Sequence, residues 1–184
     1  MTRVLVIIDI QNDYFPGGAF PLVGTEAAAG AAGGLLAAFR AAGEPVIHVQ
    51  HFSGPDDGFF VPGTPGAEIN AAVAPVPGEP VVVKHEPNAF LGTDLEARLR
   101  ALAPVQVVVA GMMTSMCVDA TVRAASDLGF ALAVAGDACA APDLTYAGET
   151  VPGAQVHAAF LAALDGTYAR VAPAAELAPV HASR

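Results

Sequence analysis

Three side chains that could together cleave an acyl bond stand at or just beyond the ends of apolar runs in this sequence. Asp9 lies in RVLVIIDI, Lys84 in PVVVKH, and Cys117 in GMMTSMCVDATVRAA, just after VQVVVAG. A thiol beside a cation and a carboxylate can attack a carbonyl carbon, because the cation favours the thiolate and the carboxylate accepts the proton. These residues therefore predict Cys117 as nucleophile, Asp9 as general base and acid, and Lys84 as the charge partner of both.

The position of Cys117 supports this chemistry. Thr114 or Ser115 can cap a helix that starts here, which would place Cys117 in the first helical turn. A helix N-terminus and a nearby Lys84 both lower a thiol pKa, and the backbone N–H groups of the turn can form an oxyanion hole. The alternative is that Cys117 is only a small buried apolar residue, as free cysteines often are.

The elements that must position these groups alternate along the chain. Six short runs read as β-strands: 3–10, 45–51, 80–85, 105–111, 130–137 and 168–173. Several of them are apolar without alternation, as expected for strands covered on both faces. Helical patterns lie between them at 26–42, 94–102, 115–128 and 153–164. This order predicts a parallel α/β sheet, whose active site lies beyond the carboxyl ends of the strands. The Gly/Pro-rich segment Ser53–Gly78 is interpreted as a lid or subunit contact.

Composition limits the classes of partner. A chain of 184 residues predicts one domain, 1–184. The formal charge of -10 and the lack of a basic run argue against nucleic acid and anionic lipid, so a small-molecule partner is expected. Only 14% of residues are charged and 54% are hydrophobic, which favours a homo-oligomer. A strand pattern that contains Asp9 begins at Arg3, which is not typical of a signal peptide, and two cysteines make no disulfide framework. No uninterrupted apolar stretch approaches about 20 residues. A cytoplasmic protein without membrane spans is therefore expected.

Three motifs of the chain, in this order and at these spacings, resemble the isochorismatase-like cysteine hydrolases. They are VIIDIQNDYF, VVVKHEPNAF and GMMTSMCVDATVRAASDLGF. That superfamily includes nicotinamidases, N-carbamoylsarcosine amidase and isochorismatase. The resemblance covers nearly the whole chain and implies that Asp9, Lys84 and Cys117 form a catalytic triad. It also implies a three-layer α/β/α sandwich whose six-stranded parallel sheet has the order 3-2-1-4-5-6. A cis peptide bond of the family maps onto Met112–Met113, where it would direct the N–H groups of Met113 and Cys117 at a substrate oxygen.

One departure from the family pattern concerns metals. Nicotinamidases bind a metal through an Asp-x-His pair and a second histidine, whereas the corresponding stretch here, HVQHFSGPDDGFF, lacks that set. His48 and His51 stand three apart on an expected strand, so they would point to opposite faces and chelate poorly. We therefore expect a site without metal or other cofactor, as in the branch that includes streptothricin hydrolase.

Apolar side chains near the same sheet edge are candidates to line a substrate pocket, although most could equally belong to the core. They are Phe15, Phe20, Phe59, Phe90, Met112, Met113 and Met116. Asn88 could supply a polar anchor. Such a pocket would accept a compact, partly apolar substrate that presents a carbonyl group to Cys117. Other polar or reactive residues are expected to be structural: Asp13, His85, Thr121, Arg123, Asp137, Cys139 and His157.

These observations lead to a cysteine hydrolase that cleaves a non-peptide C–N bond of a small linear or cyclic amide through a thioester. Cleavage of a vinyl ether, as isochorismatase performs, is an alternative reaction on the same fold. A non-catalytic interaction module that keeps the fold and a reactive thiol is a third interpretation.

Overall fold

The computed structural model describes residues 2–179 and is built around a six-stranded sheet. The strands, in chain order, are β1 (Arg3–Ile8), β2 (Val46–His51), β3 (Val81–Lys84), β4 (Gln106–Met112), β5 (Leu132–Ala140), β6 (Leu144–Tyr146), β7 (Glu149–Val151) and β8 (Arg170–Ala172). The sheet has the order β3-β2-β1-β4-β5-β8, and every neighbouring pair is parallel. This arrangement confirms the expected order 3-2-1-4-5-6, because the strand expected sixth is β8 once a short hairpin is counted.

Helices cover both faces of the sheet, which confirms the three-layer architecture. They are α1 (Thr25–Ala41), α2 (Leu95–Leu102), α3 (Asp119–Asp127), α4 (Gly153–Leu164) and α5 (Ala174–Leu177). On one face, Leu5 and Ile7 of β1 pack in a core with α1 and α5. On the other face, Val4, Val6 and Ile8 pack with α2, α3 and α4. Double coverage explains why the inner strands β1, β4 and β5 read as unbroken apolar runs, whereas β3 at the edge of the sheet exposes Val81 and Val83. Across residues 2–179, no helix is both long and apolar enough to cross a membrane.

The structure contains elements that the sequence did not predict, among them the short helix α5. The expected helix 115–128 begins with a π-helical turn, Thr114–Val118, and continues as α3. The hairpin β6–β7 was not expected from the sequence. Its two three-residue strands are joined by Ala147 and Gly148, whose φ angles of 52° and 85° suit a tight hairpin turn. Strands this short are too brief to show a period-two pattern.

The segment Ser53–Gly78 is anchored to the body of the protein. It contains two short 3₁₀ turns and buries the side chains of Phe60 and Val73 completely. The Phe60 N–H group donates a hydrogen bond of 2.6 Å to Asp13 Oδ2. Phe60 and Val73 therefore belong to the core, whereas most of the segment stays at the surface, and its role as a lid or subunit contact stays a prediction.

Candidate active site

The carboxyl edge of the sheet brings Asp9, Lys84 and Cys117 together. Asp9 follows β1 directly, Lys84 is the last residue of β3, and Cys117 lies in the π-helical turn after β4. Lys84 Nζ lies 2.7 Å from Asp9 Oδ2 and 3.3 Å from Cys117 Sγ. All three residues are buried, with exposed fractions of 0%, 1% and 4% for Asp9, Lys84 and Cys117. A carboxylate, an ammonium group and a thiol thus share one closed site.

Asp9 has an unusual backbone conformation for a non-glycine residue. Its φ angle is +49°, in the left-handed region that costs most residues free energy and that recurs at active sites. Burial raises the pKa of its carboxyl group, and the Lys84 ammonium group opposes that shift. The Oδ1 atom of Asp9 is buried and has no hydrogen-bond partner among residues 2–179. A carboxylate oxygen with a raised pKa and no other partner is suited to accept a proton.

The structure does not support a resting thiolate. Burial raises the pKa of Cys117, the negative charge of Asp9 raises it further, and Lys84 only partly opposes these effects. The prediction of a lowered thiol pKa is therefore wrong for the closed site, because loss of solvent outweighs the nearby cation. Any reaction at this sulfur would require loss of the thiol proton, and Asp9 is the adjacent group with a carboxylate that could accept it.

The expected helix cap is also absent. The π-helical turn begins after Met113, and no side chain caps its start. Thr114 Oγ1 instead forms a 2.9 Å hydrogen bond with His157 Nδ1, and Ser115 Oγ is buried without a partner within the described residues. The prediction that Thr114 or Ser115 caps this helix is wrong, because the hydroxyl of Thr114 is used in a tertiary contact with α4.

The main chain before Cys117 turns sharply. The peptide bond between Met112 and Met113 is cis. The Met113 carbonyl accepts hydrogen bonds from the N–H groups of Met116, at 3.1 Å, and Val118, at 3.2 Å. Cys117 lies within this turn, close to the start of the helical segment. Its N–H group could bind a substrate oxygen from this position.

Gly111 supports the same turn from within β4. It is paired with Ile8, the residue before Asp9, and has a φ angle of +147°. A Cβ atom at Gly111 would collide with the backbone of Ile8. Only glycine therefore allows β1 and β4 to approach this closely where Asp9 leaves the sheet.

His51 is a site residue that the sequence analysis did not select. It is the last residue of β2, and its Nδ1 atom lies 2.7 Å from Lys84 Nζ. Burial and the charge of Lys84 lower the pKa of His51 to about 4, so the ring is neutral near pH 7. Like Lys84, His51 stands at the carboxyl end of its strand, so the sequence carries the same positional signal for both residues. His48 instead contacts Glu79 at 2.9 Å, so the expectation that His48 and His51 diverge is confirmed.

Among the described residues, Asp9, His51 and Cys117 form a set of potential metal ligands, with one donor atom of each within 4.8 Å of the others. A carboxylate, an imidazole and a thiolate together are a donor set suited to zinc. Lys84 Nζ contacts an atom of each of these three residues. A cation of the protein itself therefore occupies the place at which these donors converge.

The expected pocket residues fall into two groups, those near the surface and those with structural partners. Phe20 is 40% exposed, and its ring centroid lies 5.5 Å from that of the partly buried Phe59. Phe15 packs against the same core cluster as Phe59. Met116, in the same turn as Cys117, is 48% exposed. Four candidates therefore lie at or near the surface, as pocket residues require: Phe15, Phe20, Phe59 and Met116. Met113 is partly buried against the core.

Three other pocket candidates have structural partners. Met112 is fully buried in the core on the α1 side. The ring of Phe90 stacks on that of Phe130, with centroids 6.3 Å apart. Asn88 Oδ1 accepts a hydrogen bond from the N–H group of Phe90, which stabilises their own loop. These contacts favour packing and turn formation over direct contact with a substrate.

The residues expected to be structural have structural contacts. Asp137 Oδ1 accepts from the Ala174 N–H group at the start of α5, at 2.7 Å. Thr121 Oγ1 accepts from Ala89 N–H at 3.0 Å. Cys139 is buried, which raises its pKa to about 12. Three further contacts join Asp13 to Ala19, Arg123 to Asp119, and His85 to the Phe52 carbonyl.

Comparisons with known proteins agree with this fold. Maleamate amidohydrolase of Pseudomonas putida is 36% identical over 143 residues, which cover 68% of this chain and 66% of that protein. Streptothricin hydrolase of Streptomyces noursei is 36% identical over 161 residues, which cover 83% of this chain and 55% of that protein. A crystal structure from Oleispira antarctica, assigned to the isochorismatase hydrolases, superposes with a TM-score of 0.92 at 53% identity, covering 96% of this chain and 95% of that one.

The uncharacterised isochorismatase family protein YddQ of Bacillus subtilis is 49% identical over 172 residues, which cover 93% of this chain and 96% of that protein. The family model of the isochorismatase domain matches residues 3–176. The resemblance noted in the sequence is thereby confirmed, and the chain belongs to the isochorismatase family of hydrolases.

Proposed function

We propose that this protein is an amidohydrolase that cleaves a non-peptide C–N bond of a small amide through a Cys117 thioester. The observation that carries the proposal is the position of Lys84 Nζ, in contact with both Asp9 Oδ2 and Cys117 Sγ in a buried site. Relatives named maleamate amidohydrolase and ureidoacrylate amidohydrolase support amide chemistry. The low charge content of the chain and the apolar side chains near Phe59 suit a compact, partly apolar substrate.

The first half of the reaction forms the thioester. Asp9 accepts the thiol proton as Cys117 Sγ bonds to the substrate carbonyl carbon, whose oxygen becomes an oxyanion. The N–H groups of Met113 and Cys117 bind that oxyanion in the proposed mechanism. The C–N bond then breaks, and Asp9 delivers its proton to the leaving amine. Lys84 offsets the negative charge that moves between the carboxylate and the sulfur.

The second half releases the acid. Asp9 accepts a proton from a water molecule, whose oxygen attacks the thioester carbon. The C–S bond breaks, the carboxylic acid leaves, and the sulfur recovers its proton from Asp9. One water is consumed and one amide gives one acid and one amine. Each of these steps uses groups of this chain alone, so we propose that the site works without a metal.

The test is to trap the covalent intermediate. Wild-type protein is mixed with a library of small amides, quenched with acid and digested, and the peptide that contains Cys117 is weighed by mass spectrometry. A mass increase equal to the acyl half of one amide is expected. Cys139 is the internal control, because its thiol should stay unmodified. Turnover of an amide with no adduct on Cys117, also at short mixing times, would contradict the thioester route.

Vinyl ether cleavage is the second candidate, and the match to the isochorismatase domain model favours keeping it. Such a reaction can proceed without a covalent bond to sulfur. Alkylation of Cys117 separates the two candidates when amides and isochorismate are assayed in parallel. Loss of amide turnover on alkylation supports the thioester route, whereas turnover of isochorismate that survives alkylation supports the second candidate.

A further inference from the structure

We propose that His51 is a positioning residue that holds the Lys84 ammonium group between Asp9 and Cys117. The proposal deepens the proposed function and rests on it for its kinetic test alone. A lysine ammonium group has three N–H donors and no acceptor. Lys84 Nζ has three neighbours at contact distance, namely Asp9 Oδ2 at 2.7 Å, His51 Nδ1 at 2.7 Å and Cys117 Sγ at 3.3 Å. The number of neighbours equals the number of donors, with hydrogen bonds to His51 and Cys117 and an ion pair with Asp9.

The imidazole ring suits this role only in its neutral form. An ammonium group cannot accept a hydrogen bond, so His51 Nδ1 must be the acceptor and Nε2 must carry the ring proton. Lys84 and His85 lower the pKa of His51 and Asp57 raises it, while Asp9 and Cys117 each have a donor atom within 4.8 Å of a ring nitrogen. A neutral ring can accept a hydrogen bond from the Lys84 ammonium group without adding a charge to the site. The ion pair between Lys84 and Asp9 is therefore kept.

The backbone of His51 is itself held in place. Gln11 is fully buried, and its Oε1 accepts from the His51 N–H group at 2.8 Å. Gln11 Nε2 donates to the carbonyl groups of His51, at 2.9 Å, and Ala67, at 2.8 Å. Because Gln11 stands two residues after Asp9, this clamp ties the end of β2 to the same turn that carries the carboxylate. His51 is also paired with Lys84 across β2 and β3.

Loss of the imidazole would leave Lys84 less constrained. One of three buried donors would lack a partner, and the four-carbon stem of lysine allows the ammonium group to move in search of another. The Lys84 charge lowers the pKa of Asp9, so its displacement should raise that pKa. A residue that only fills space would not change the titration of Asp9 in this way.

The kinetic test compares two substitutions. In His51→Phe the acceptor is lost, and we expect kcat to fall about 10- to 100-fold with KM changed less than about 3-fold, in line with the loss of a group that orients an active-site residue. The acid limb of the kcat/KM profile should move to higher pH. In His51→Asn the Oδ1 atom stands where Nδ1 stood, so kcat and the acid limb should return toward the wild-type values.

His85→Phe, at an exposed histidine bonded to the Phe52 carbonyl, is the matched control and should keep wild-type kinetics. An acid limb unchanged in His51→Phe, or no recovery in His51→Asn, would overturn the proposal.

A second test needs no substrate. If His51, Asp9 and Cys117 converge on the ammonium group, Lys84→Ala should vacate a site that binds one Cd²⁺ per chain, seen as a thiolate-to-metal absorption band. The double variant Lys84→Ala/His51→Phe should bind Cd²⁺ at least about tenfold more weakly, and the wild-type protein should also bind weakly because Lys84 fills the place. Equal Cd²⁺ affinity of the single and double variants, with both folded by circular dichroism, would refute the role of His51. Failure to find any amide substrate would leave this result unaffected and would count against the proposed function alone.

Discussion

The Lys84 ammonium group and the Asp9 carboxylate form an ion pair of 2.7 Å in which both side chains are completely buried. Burying two charges costs free energy that their attraction repays only in a well-ordered geometry, and loss of one partner leaves the other charge uncompensated. The pair therefore stabilises the site only while both members are present. It also places a proton acceptor and a cation beside the sulfur of Cys117.

Removal of the Asp9 charge should abolish turnover. Asp9→Asn keeps the shape of the side chain but cannot accept the thiol proton, so we expect kcat/KM on a responsive amide to fall at least about a thousandfold. The measurement is steady-state kinetics, with near-ultraviolet circular dichroism to check the fold. Asp137→Asn is the control, since Asp137 bonds the N–H group of Ala174 and should retain activity. Similar losses in both variants would argue against a specific role for Asp9.

The raised pKa of Cys117 has a measurable consequence in the free protein. A thiol whose pKa lies above its ordinary value of 9.0 carries less thiolate at every lower pH. The rate of iodoacetamide alkylation at Cys117, followed by peptide mass spectrometry, should therefore keep rising past pH 9. A rate that levels off below pH 7 would instead indicate a stable thiolate and would contradict the burial argument.

Gly111→Ala should destabilise the protein. The added Cβ would collide with the backbone of Ile8, and the φ angle of +147° disfavours any side chain, so we expect a loss of about 2–4 kcal/mol in the free energy of unfolding. Urea denaturation measures this loss. Gly30→Ala is the matched control, because Gly30 lies in α1 with open space around its Cα. That change should stabilise the protein by about 0.5–1 kcal/mol. Equal effects of the two changes would contradict the close approach of β1 and β4.

Stability should fall in acid partly through Glu79. Hydrogen bonds from Arg40 and other neighbours lower the pKa of Glu79 from 4.5 to about 2. A depressed folded-state pKa stabilises the native state above the unfolded value, and that contribution is lost as pH falls from about 4.5 through 2. The free energy of unfolding should therefore decrease more steeply between pH 5 and about pH 2.5 for wild type than for Glu79→Gln. Parallel curves for the two proteins would show that the pair with Arg40 contributes nothing measurable.

Treatment with a chelator should leave turnover intact. We expect the ammonium group of Lys84, in contact with Asp9, His51 and Cys117, to supply the positive charge that a metal would otherwise supply. Activity is measured before and after dialysis against EDTA, and the metal content of the protein is measured in parallel. Activity that disappears on dialysis and returns with zinc or manganese would contradict the metal-free proposal.

Much of the fold could be predicted from local patterns. The unbroken apolar runs around Val6 and Val108 report strands with both faces covered, and the alternation of strand and helix restricts the topology to a parallel sheet. The hairpin β6–β7 and the π-helical turn Thr114–Val118 were not predicted. The hairpin is too short to show a periodicity, and a π-helical turn depends on tertiary contacts such as that of Thr114 with His157.

The sequence by itself determined the alternation of strands and helices and the three residues that could do chemistry, because residue pattern and strand-end position are local properties of the chain. Its motifs also carried the resemblance that implied the family and the order of the sheet. Only the tertiary structure decided the electrostatics of the site. The pKa of Cys117 depends on how completely the fold excludes water, and the role of His51 depends on a distance to Lys84, 33 residues away. Burial and through-space distance arise from packing of the whole molecule, which residue types and spacing along the chain do not record.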